Sequence, residues 1–523
     1  MSNLLDNKFF VIIFIPFLLG AITVLGFSPY NFTLVNFFTF PILLFLILLI
    51  KKKTQSKYRK KKSNRYFFYF GCAFGFGFFL VGNYWISISL THDVMFRNLI
   101  PFALILIPLF LSIFFGLAFL ASGPFVSKNI YFILFFSLTF TIFEFLRGIL
   151  FTGFPWNLIS YTWSWSIETI QILSSIGTYS LSLISITLFC TPFIFFQKKV
   201  GKKNIIFLII ILIIFIGNYL YGAFKSNNNY QFDEEINVKI ISPNFSLKDY
   251  DTQSETDQLK RLIQISNPEK NKKTLFIWPE GIFYESYLQD LKKYSDLFSS
   301  KFSENHLIAF GINNFYKFEE SESQNYFNSL VIINHKAEIL SVYNKVKLVP
   351  FGEFLPFENF FSKLGLKKIT KGYNSFSRGK DRKIINLGSN FNEKLILPLI
   401  CYEIIYSGKI KTQAQHPDLI INISEDAWFG NSIGPYQHYV KAVYRSVEEG
   451  VFIARSANKG ISGFIDPNGR LIKFLERRES GNVAHKMPQF FYPTLFSEYG
   501  NKIFFLIVLV YIFLILILKK FKI

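Results

Sequence analysis

The sequence predicts a multi-pass α-helical membrane bundle of eight spans joined to an α/β domain. The chain has 523 residues, of which 51% are hydrophobic and 19% are aromatic. Eight apolar runs approach the roughly 20 residues with which a helix crosses a bilayer, and the first seven end before residue 222. Between residues 223 and 500, short apolar runs alternate with polar segments, which is typical of an α/β domain.

The eight candidate membrane helices determine the expected domain boundaries. They are Phe9–Phe27, Phe37–Ile50, Tyr66–Ile86, Ile100–Ala121, Ile130–Leu150, Ile172–Phe196, Ile205–Tyr221 and Ile503–Leu518. No basic stretch precedes the first run, and Asp6 does, so we do not expect a cleaved signal peptide. We therefore expect a seven-helix membrane domain over residues 1–222, an α/β domain over residues 223–500, and a final helix with a basic tail over residues 501–523.

The positions of the basic residues predict how the helices are oriented. The formal net charge is +21, and nine, four and three of the positive residues lie in Lys51–Arg65, Lys198–Lys203 and Lys519–Lys522. Basic loops beside membrane helices face the cytoplasm, so the charge does not indicate nucleic-acid binding. Eight spans place all three segments on one side. Residues 223–500 then lie on the other side, which in a bacterium is the periplasmic face of the inner membrane.

Short apolar runs within residues 223–500 predict eight strands. They are Val238–Ser242, Thr274–Trp278, Leu307–Phe310, Leu330–Ile333, Leu395–Cys401, Leu419–Ile423, Phe452–Arg455 and Gly463–Ile465. Asp257–Ile265 and Tyr436–Glu449 are predicted helices, and Gly450 ends the second. Asn334–Leu340 and Asp466–Leu471 are predicted hairpin turns.

Three polar side chains are candidates for catalytic roles in the α/β domain. Cys401 ends one predicted strand, and Glu280 follows another. Reactive groups collect at the carboxyl ends of strands in open α/β sheets. Lys345 lies in a third segment, Tyr343–Phe354. A cysteine nucleophile beside a base and a cation is one interpretation, and a buried structural cysteine is the other.

Five motifs favour the nucleophile. They are WPEG at 278–281, YNKVKLVPFGEFLP at 343–356, ICYEI at 400–404, DAWFG at 426–430 and GPYQH at 434–438. Together they resemble the nitrilase, or carbon–nitrogen hydrolase, superfamily, whose αββα sandwich carries a Glu–Lys–Cys triad. GNYW at 82–85 and FTGFPWNLISY at 151–161, with seven spans before the domain and one after it, resemble the apolipoprotein N-acyltransferase family. The resemblance covers essentially the whole chain.

The resemblance implies an acyltransferase with Glu280, Lys345 and Cys401 as its catalytic triad. Glu280 would act as the base, and Cys401 would carry the acyl group as a thioester. Lys345 and the backbone N–H of Tyr402 would stabilise the oxyanion. The donor would be a phospholipid, typically phosphatidylethanolamine, and the acceptor the α-amino group of the diacylglyceryl-cysteine that begins an apolipoprotein. The resemblance implies no metal and no cofactor, and we expect a monomer.

Four further polar side chains are candidates for supporting roles. Glu353 would orient Lys345 or assist the proton transfers, or it is a plain surface carboxylate. Glu403 is either a partner of the site or part of an ordinary salt bridge. Asn328, in YFNSL, resembles a residue that would orient the triad, and Tyr250 loosely matches a position where the family tends to have tryptophan.

Aromatic residues near the strand ends have two interpretations. Tyr402, Trp428 and Phe429 would shape an acyl pocket, or they belong to the core. His438 is a lone histidine on a predicted helix with no metal-ligand companions at a useful spacing, so we expect it to be structural. The partly apolar loop Gly352–Ser377 is a candidate mobile lid.

Two segments depart from the family's pattern. Ser424–Trp428 reads Ser-Glu-Asp-Ala-Trp where the family usually has Ser-Asn-Asp-Ala-Trp, and Ser456–Gly460 differs from the usual Thr-Asn-Asn-Gly. The added carboxylate of Glu425 would alter the preference for the acceptor, or it faces solvent. Neither departure changes the triad.

Charged residues inside a predicted span need partners. Glu144 and Arg147 are three residues apart, on one face of the fifth predicted helix. Charges at membrane depth are costly and are usually paired or functional. We expect a structural ion pair between helices.

Two other functions fit parts of the chain. One is a membrane-tethered amidase or nitrilase-type hydrolase, in which water attacks the same thioester. The other is a transporter or membrane scaffold with an inactive α/β domain. The eight spans favour the acyltransferase over the hydrolase. The presence of Glu280, Lys345 and Cys401 argues against the inactive scaffold.

Overall fold

The computed structural model describes residues 7–54, 60–196, 200–226, 230–317, 324–358, 363, 375–410, 415–489 and 493–521. The chain separates into two compact units. The first, here called the membrane unit, comprises Met1–Asn227 and Glu498–Ile523, and the second, the α/β unit, comprises Asn228–Ser497. Parts of the three basic segments and most of the candidate lid Gly352–Ser377 lie outside the described residues.

Within its described residues, the membrane unit contains eight apolar helices, as the sequence predicts. Seven are long enough to cross a membrane, and the first is a shorter apolar helix of 17 residues. They are α1 (Phe10–Gly26), α2 (Thr33–Thr54), α3 (Asn64–Thr91), α4 (Val94–Phe125), α5 (Ile130–Thr152), α6 (Leu173–Phe196), α7 (Lys202–Lys225) and, at the end of the chain, α11 (Lys502–Lys520). Tighter 3₁₀ turns extend several of them by a few residues beyond the predicted apolar runs, because helices commonly begin and end in such turns.

Glycines allow α1 and α3 to approach closely. A Cβ atom added to Gly20 would lie 2.0 Å from the carbonyl oxygen of Phe74, and one added to Gly77 would lie 2.0 Å from that of Phe17. Small residues let helix backbones pack tightly where lipid provides no hydrophobic driving force. Glycine at both positions therefore fixes the distance between the two helices.

The charged pair within α5 binds the segment that follows this helix. Arg147 donates to the carbonyl oxygens of Phe154 and Asn157 at 2.5 and 3.1 Å. The carboxylate of Glu144 accepts the backbone N–H of Ile159 at 3.1 Å. Both charged groups are thus held by hydrogen bonds inside the membrane unit, and both are buried.

The α/β unit contains thirteen strands in the described residues, arranged in two sheets. The first sheet has the order β13-β1-β2-β4-β5-β6, with β3 paired to β4, and the second has the order β12-β11-β10-β9-β8-β7. The strands are β1 (Phe232–Ser242), β2 (Thr274–Ile277), β3 (Phe283–Tyr287), β4 (His306–Lys317), β5 (Gln324–Asn334), β6 (Ile339–Asn344), β7 (Ile385–Asn386), β8 (Leu395–Ile400), β9 (Leu419–Glu425), β10 (Phe452–Asn458), β11 (Ser462–Ile465), β12 (Leu471–Leu475) and β13 (Gly481–Pro488).

The two sheets pack face to face and helices cover their outer faces. One core cluster joins Ile277 and Ala309 of the first sheet to Ile400 and Ile421 of the second. Helices α8 (Glu255–Ser266) and α9 (Ser295–Lys301) pack on the outer face of the first sheet. Helix α10 (Gly434–Glu449) packs on the second sheet. This arrangement is the αββα sandwich expected from the motifs.

Parallel strands bring three chain segments to the same region of the sandwich. β8 pairs with β9 in parallel, and β2 is parallel to both of its neighbours in the first sheet. The carboxyl ends of β2, β8 and β9 are followed by Glu280, Cys401 and Asp426. The candidate site is therefore built from strand ends of both sheets.

Candidate active site

Cys401 occupies a strained turn between a strand and a short helix. It directly follows β8 and begins the 3₁₀ helix Cys401–Ile405. Its φ of +48° lies in the left-handed region, which costs a residue with a side chain roughly 1–3 kcal/mol. The cysteine as a whole is partly exposed, while it packs against the core between the two sheets.

Glu280 is held by three donors from three different segments. Its Oε1 accepts from Asn328 Nδ2 at 2.7 Å and from Lys345 Nζ at 3.1 Å. Its Oε2 accepts from the backbone N–H of Glu425 at 3.1 Å. A Cβ added to Gly311 would lie 2.7 Å from the Cα of Glu280, so a glycine at that position makes room for this backbone.

Lys345 lies between two carboxylates. Its Nζ is 3.1 Å from Oε1 of Glu280 and 2.8 Å from Oε1 of Glu353, and the lysine is only 1% exposed. Burial alone would lower the pKa of Lys345, but the carboxylates of Glu280 and Glu353, together with the nearby Cys401, raise it well above its ordinary value. Lys345 is therefore a fixed cation at neutral pH.

Glu353 and Asn328 complete this arrangement. Asn328 Nδ2 donates to Glu353 Oε1 at 2.8 Å as well as to Glu280. The second oxygen of Glu353 accepts the backbone N–H of Val349 at 2.8 Å. Glu353 is buried, so the interpretation of a surface carboxylate is wrong.

The thiol of Cys401 lies in a predominantly negative environment. Burial of the thiol and the negative charges of Glu280 and Asp426 raise its pKa well above the ordinary value, against the opposing effects of Lys345 and a hydrogen bond with Ser424. The resting group is consequently a thiol. Reaction then requires a base that removes the proton as the sulfur attacks.

Glu403 connects the segment of Cys401 to the segment of Lys345. Its Oε1 accepts the backbone N–H groups of Val346 and Lys347 at 3.0 and 3.1 Å, and its Oε2 accepts that of Ile400 at 2.9 Å. The hydroxyl of Tyr343 donates to both oxygens. Glu403 is fully buried. Its Oε1 also lies 3.8 Å from Nε of Arg382, so Glu403 both links the two segments and forms a salt bridge, and its role in the site stays a proposal.

Glu425 is buried against Tyr250 and Asn458. The Tyr250 hydroxyl donates to Glu425 Oε2 at 2.9 Å, and Asn458 Nδ2 donates to both oxygens at 2.9 and 3.0 Å. Burial raises the pKa of Glu425 to about 8, with Glu280 adding to the shift while the hydrogen bonds oppose it. The suggestion that Glu425 faces solvent is wrong, and the two segments that depart from the family's pattern meet at this contact.

The aromatic candidates lie around these strand ends. Tyr402 is buried and its ring contacts that of Tyr406, with centroids 5.5 Å apart. Trp428 and Phe429 are half-buried in the turn after β9, and the ring of Phe429 lies 5.5 Å from that of His438. An acyl-pocket role for these residues remains a proposal.

Sequence reasoning missed a buried polar network behind Cys401. His438 Nδ1 lies 2.9 Å from Asp426 Oδ1, and Arg455 Nη2 lies 2.8 Å from Asp426 Oδ2. Although burial opposes it, Arg455 and His438 lower the pKa of Asp426 to about 2. The only signal in the sequence was the proximity of DAWFG and GPYQH, since Arg455 comes from a separate strand.

Comparison with known families divides the chain as the structure does. Residues 19–191 match the family model described as the apolipoprotein N-acyltransferase N-terminal domain, and residues 257–488 match the carbon-nitrogen hydrolase model. The fold and the site thus define an enzyme of the carbon-nitrogen hydrolase class attached to a membrane bundle.

Full-length relatives define the family more narrowly. An apolipoprotein N-acyltransferase of Rickettsia typhi is 35% identical over 96% of this chain and 97% of its own, and one of Rhodopseudomonas palustris is 29% identical over 97% and 95%. The chain belongs to the apolipoprotein N-acyltransferase family and is an acyltransferase.

One solved structure is similar to about half of the chain. It is an amidase from Nesterenkonia sp. AN1 with an acetamide moiety added covalently at its active site cysteine. Its identity to this chain is 13% and the TM-score is 0.35, over 50% of this chain and 94% of its own.

Proposed function

We propose that this enzyme transfers a fatty acyl chain from a phospholipid to the α-amino group of the diacylglyceryl-cysteine that begins an apolipoprotein. The acyl group would pass through a thioester on Cys401. The observation that carries the proposal is the cluster of Glu280, Lys345 and Glu353 beside a strained, partly exposed cysteine, in a chain of this family. Phosphatidylethanolamine is the proposed donor.

In the first half-reaction, Glu280 removes the proton of Cys401 as the sulfur attacks the ester carbonyl of the phospholipid. The negative charge that develops on the carbonyl oxygen is stabilised by the cation of Lys345 and the backbone N–H of Tyr402. A donor of this kind contributes about 3 kcal/mol in comparable sites. The tetrahedral intermediate then expels the lysophospholipid oxygen, which takes the proton from Glu280, and a thioester remains on Cys401.

In the second half-reaction, the amine of the acceptor attacks the thioester. Glu280 takes a proton from the attacking nitrogen, and the same donors stabilise the second oxyanion. The sulfur of Cys401 leaves and recovers a proton, and the product is an amide. One site thus serves two substrates in turn, which predicts ping-pong kinetics.

Glu353 and Asn328 are proposed to position this machinery. Glu353 shares Lys345 with Glu280, so the ammonium is fixed from two sides. Asn328 donates to both carboxylates, which reduces the repulsion between them. Glu403 holds the two loops that carry Lys345 and Cys401 at a fixed separation.

We further propose that the protein lies in the bacterial inner membrane as a monomer, with the α/β unit in the periplasm. Charge supports this orientation, because Lys51–Arg65, Lys198–Lys203 and Lys519–Lys522 all lie beside ends of apolar helices and basic loops face the cytoplasm. Lipoprotein acceptors would then meet the enzyme on the outer face of this membrane.

Intact-protein mass spectrometry tests both half-reactions. We expect the purified enzyme to gain the mass of one fatty acyl group when incubated with phosphatidylethanolamine, and the Cys401→Ser variant to gain none. A diacylated lipopeptide with a free α-amine should remove the acyl group within one turnover, whereas an N-acetylated lipopeptide should not.

Two outcomes would contradict the proposal. If water discharges the acyl-enzyme as fast as the lipopeptide does, the protein is a membrane-tethered hydrolase. If no acyl-enzyme forms with any phospholipid, the donor is wrong.

A further inference from the structure

The peptide bond between Cys401 and Tyr402 contains the N–H proposed as an oxyanion donor. A peptide group is planar and trans, so its C=O and N–H point in opposite directions. The direction of the Cys401 carbonyl therefore determines the direction of the Tyr402 N–H. Any group that binds this carbonyl orients the donor on the other side of the same plane.

His438 is such a group. Its Nε2 lies 3.2 Å from the carbonyl oxygen of Cys401. A carbonyl oxygen can only accept, so we assign the hydrogen to Nε2, which donates it, and Nδ1 is left to accept from Arg455. The histidine projects from α10 and is completely buried.

The imidazole ring of His438 is itself fixed by charged neighbours. Its Nδ1 lies 2.9 Å from Asp426 Oδ1 and 3.2 Å from Arg455 Nη2. Asp426 in turn binds Arg455 at 2.8 Å and accepts from the Ser424 hydroxyl at 2.6 Å. A ring held at Nδ1 in this way cannot turn its Nε2 away from Cys401.

The backbone at Cys401 needs such an anchor. Its φ of +48° is unfavourable for a residue with a side chain, so this turn tends to relax unless neighbouring groups hold it. α10 also binds the residues that follow, since Arg445 donates to the Ile405 carbonyl and Glu448 accepts from the Ser407 hydroxyl. Among these contacts, that of His438 acts on the peptide of the proposed oxyanion donor.

We propose that His438 is a positioning residue that fixes the Cys401–Tyr402 peptide plane so that the Tyr402 N–H faces the oxyanion. This inference rests on the proposed acyl-transfer chemistry. His438 does not touch substrate, and it neither gives nor takes a proton in the reaction. Its effect is confined to steps that form or break a tetrahedral oxyanion.

Two substitutions of His438 distinguish the contact made by Nε2 from those made by Nδ1. In His438→Gln the side-chain amide nitrogen reaches about as far as Nε2 and can still donate to the Cys401 carbonyl. In His438→Asn the amide corresponds to Nδ1, so it stays beside Asp426 and Arg455 and loses the contact with Cys401. Both variants are neutral and polar, which makes them a matched pair.

The rates of two reactions of Cys401 distinguish a loss of oxyanion positioning from a general loss of structure. Acylation by phosphatidylethanolamine passes through an oxyanion, whereas alkylation by iodoacetamide is a displacement that forms none. Both rates can be followed by mass spectrometry of the peptide that contains Cys401. We expect His438→Asn to slow acylation about 100-fold or more, as for loss of one oxyanion donor. We expect alkylation to change less than threefold, and His438→Gln to recover most of the acylation rate.

Three results would overturn the inference. They are acylation of His438→Asn at the wild-type rate, a parallel loss of acylation and alkylation in that variant, and acylation of His438→Gln as slow as that of His438→Asn. A wild-type enzyme that forms no acyl-enzyme would instead contradict the proposed function. The wild-type sample in the same experiment thus distinguishes the two failures.

Discussion

Glu425 is a buried carboxyl group one hydrogen bond away from the proposed catalytic base. Its backbone N–H binds Glu280, and its side chain binds Tyr250 and Asn458. Lys459 is close enough for the charge of Glu425 to act on it. The side chain thus holds the peptide that orients Glu280. Its protonation state adds or removes a negative charge near the site.

The raised pKa of Glu425 predicts how stability depends on pH. The folded protein keeps this proton up to about pH 8, whereas the ordinary pKa of the group is 4.5. Between these values the folded state binds more protons than the unfolded state, so the free energy of unfolding falls as pH rises and is level above pH 8. Glu425→Gln does not titrate, so we expect its melting temperature minus that of the wild type to increase by several degrees between pH 5 and pH 8.5. Thermal unfolding in a fixed detergent measures this.

The exposed Glu304 supplies a control for this prediction. Glu304→Gln should show the same difference from the wild type at every pH. Curves for Glu425→Gln that run parallel to the wild type would show that Glu425 is ionised throughout.

Sequence reasoning identified those candidate site residues that lie within continuous motifs. Glu280, Lys345, Glu353 and Cys401 each stand in a short motif, and the motifs together identified them. The partners of Glu425 and the contact of His438 join segments from different elements. No local pattern encodes such contacts, so they became visible only in three dimensions.

The close packing of helices α1 and α3 depends on the absence of a side chain at a glycine. A methyl group at Gly77 would overlap the carbonyl oxygen of Phe17, whereas one at Gly217, in α7, meets nothing within 4 Å. Backbone cannot yield as a flexible side chain does. Gly77 and Gly217 therefore both lie within helices, but only at Gly77 would a methyl group meet a neighbouring helix.

Gly77→Ala should lower the melting temperature of the protein by several degrees, because separating two packed helices costs roughly 1–3 kcal/mol or more. Gly217→Ala should be neutral or slightly stabilising, since alanine is the better helix former. Thermal unfolding in detergent compares the two variants. Equal melting temperatures would mean that α1 and α3 are not packed as closely as described.

The strands that the sequence predicted are those with continuous buried apolar runs, such as β8 and β9, whose residues are almost all buried. The strands that it did not predict, β3, β6, β7, β12 and β13, are short, polar or largely exposed. β13 is half-buried and pairs with β1, although the two strands lie at opposite ends of the α/β unit in the sequence. A strand of this kind forms because it pairs with a strand that is distant in the sequence, so hydrophobic periodicity does not predict it.

At the scale of the whole molecule, the proposed orientation makes a direct prediction. In a Cys401→Ser background, a cysteine at the exposed position of Lys270 should react with a membrane-impermeant maleimide in intact spheroplasts. A cysteine at the exposed position of Lys203 should react only after the membrane is disrupted. The reverse pattern of labelling would place the α/β unit in the cytoplasm and contradict the interpretation of the basic segments.

A protonated Cys401 reacts slowly with oxidants, because the thiolate is the reactive form. The periplasm that we propose for this unit is an oxidising compartment in which exposed cysteines form disulfides. The other cysteines, Cys72 and Cys190, lie in α3 and α6. Burial and the nearby negative charges raise the pKa of Cys401 and therefore keep its sulfur in the thiol form, which is the less easily oxidised form, between turnovers.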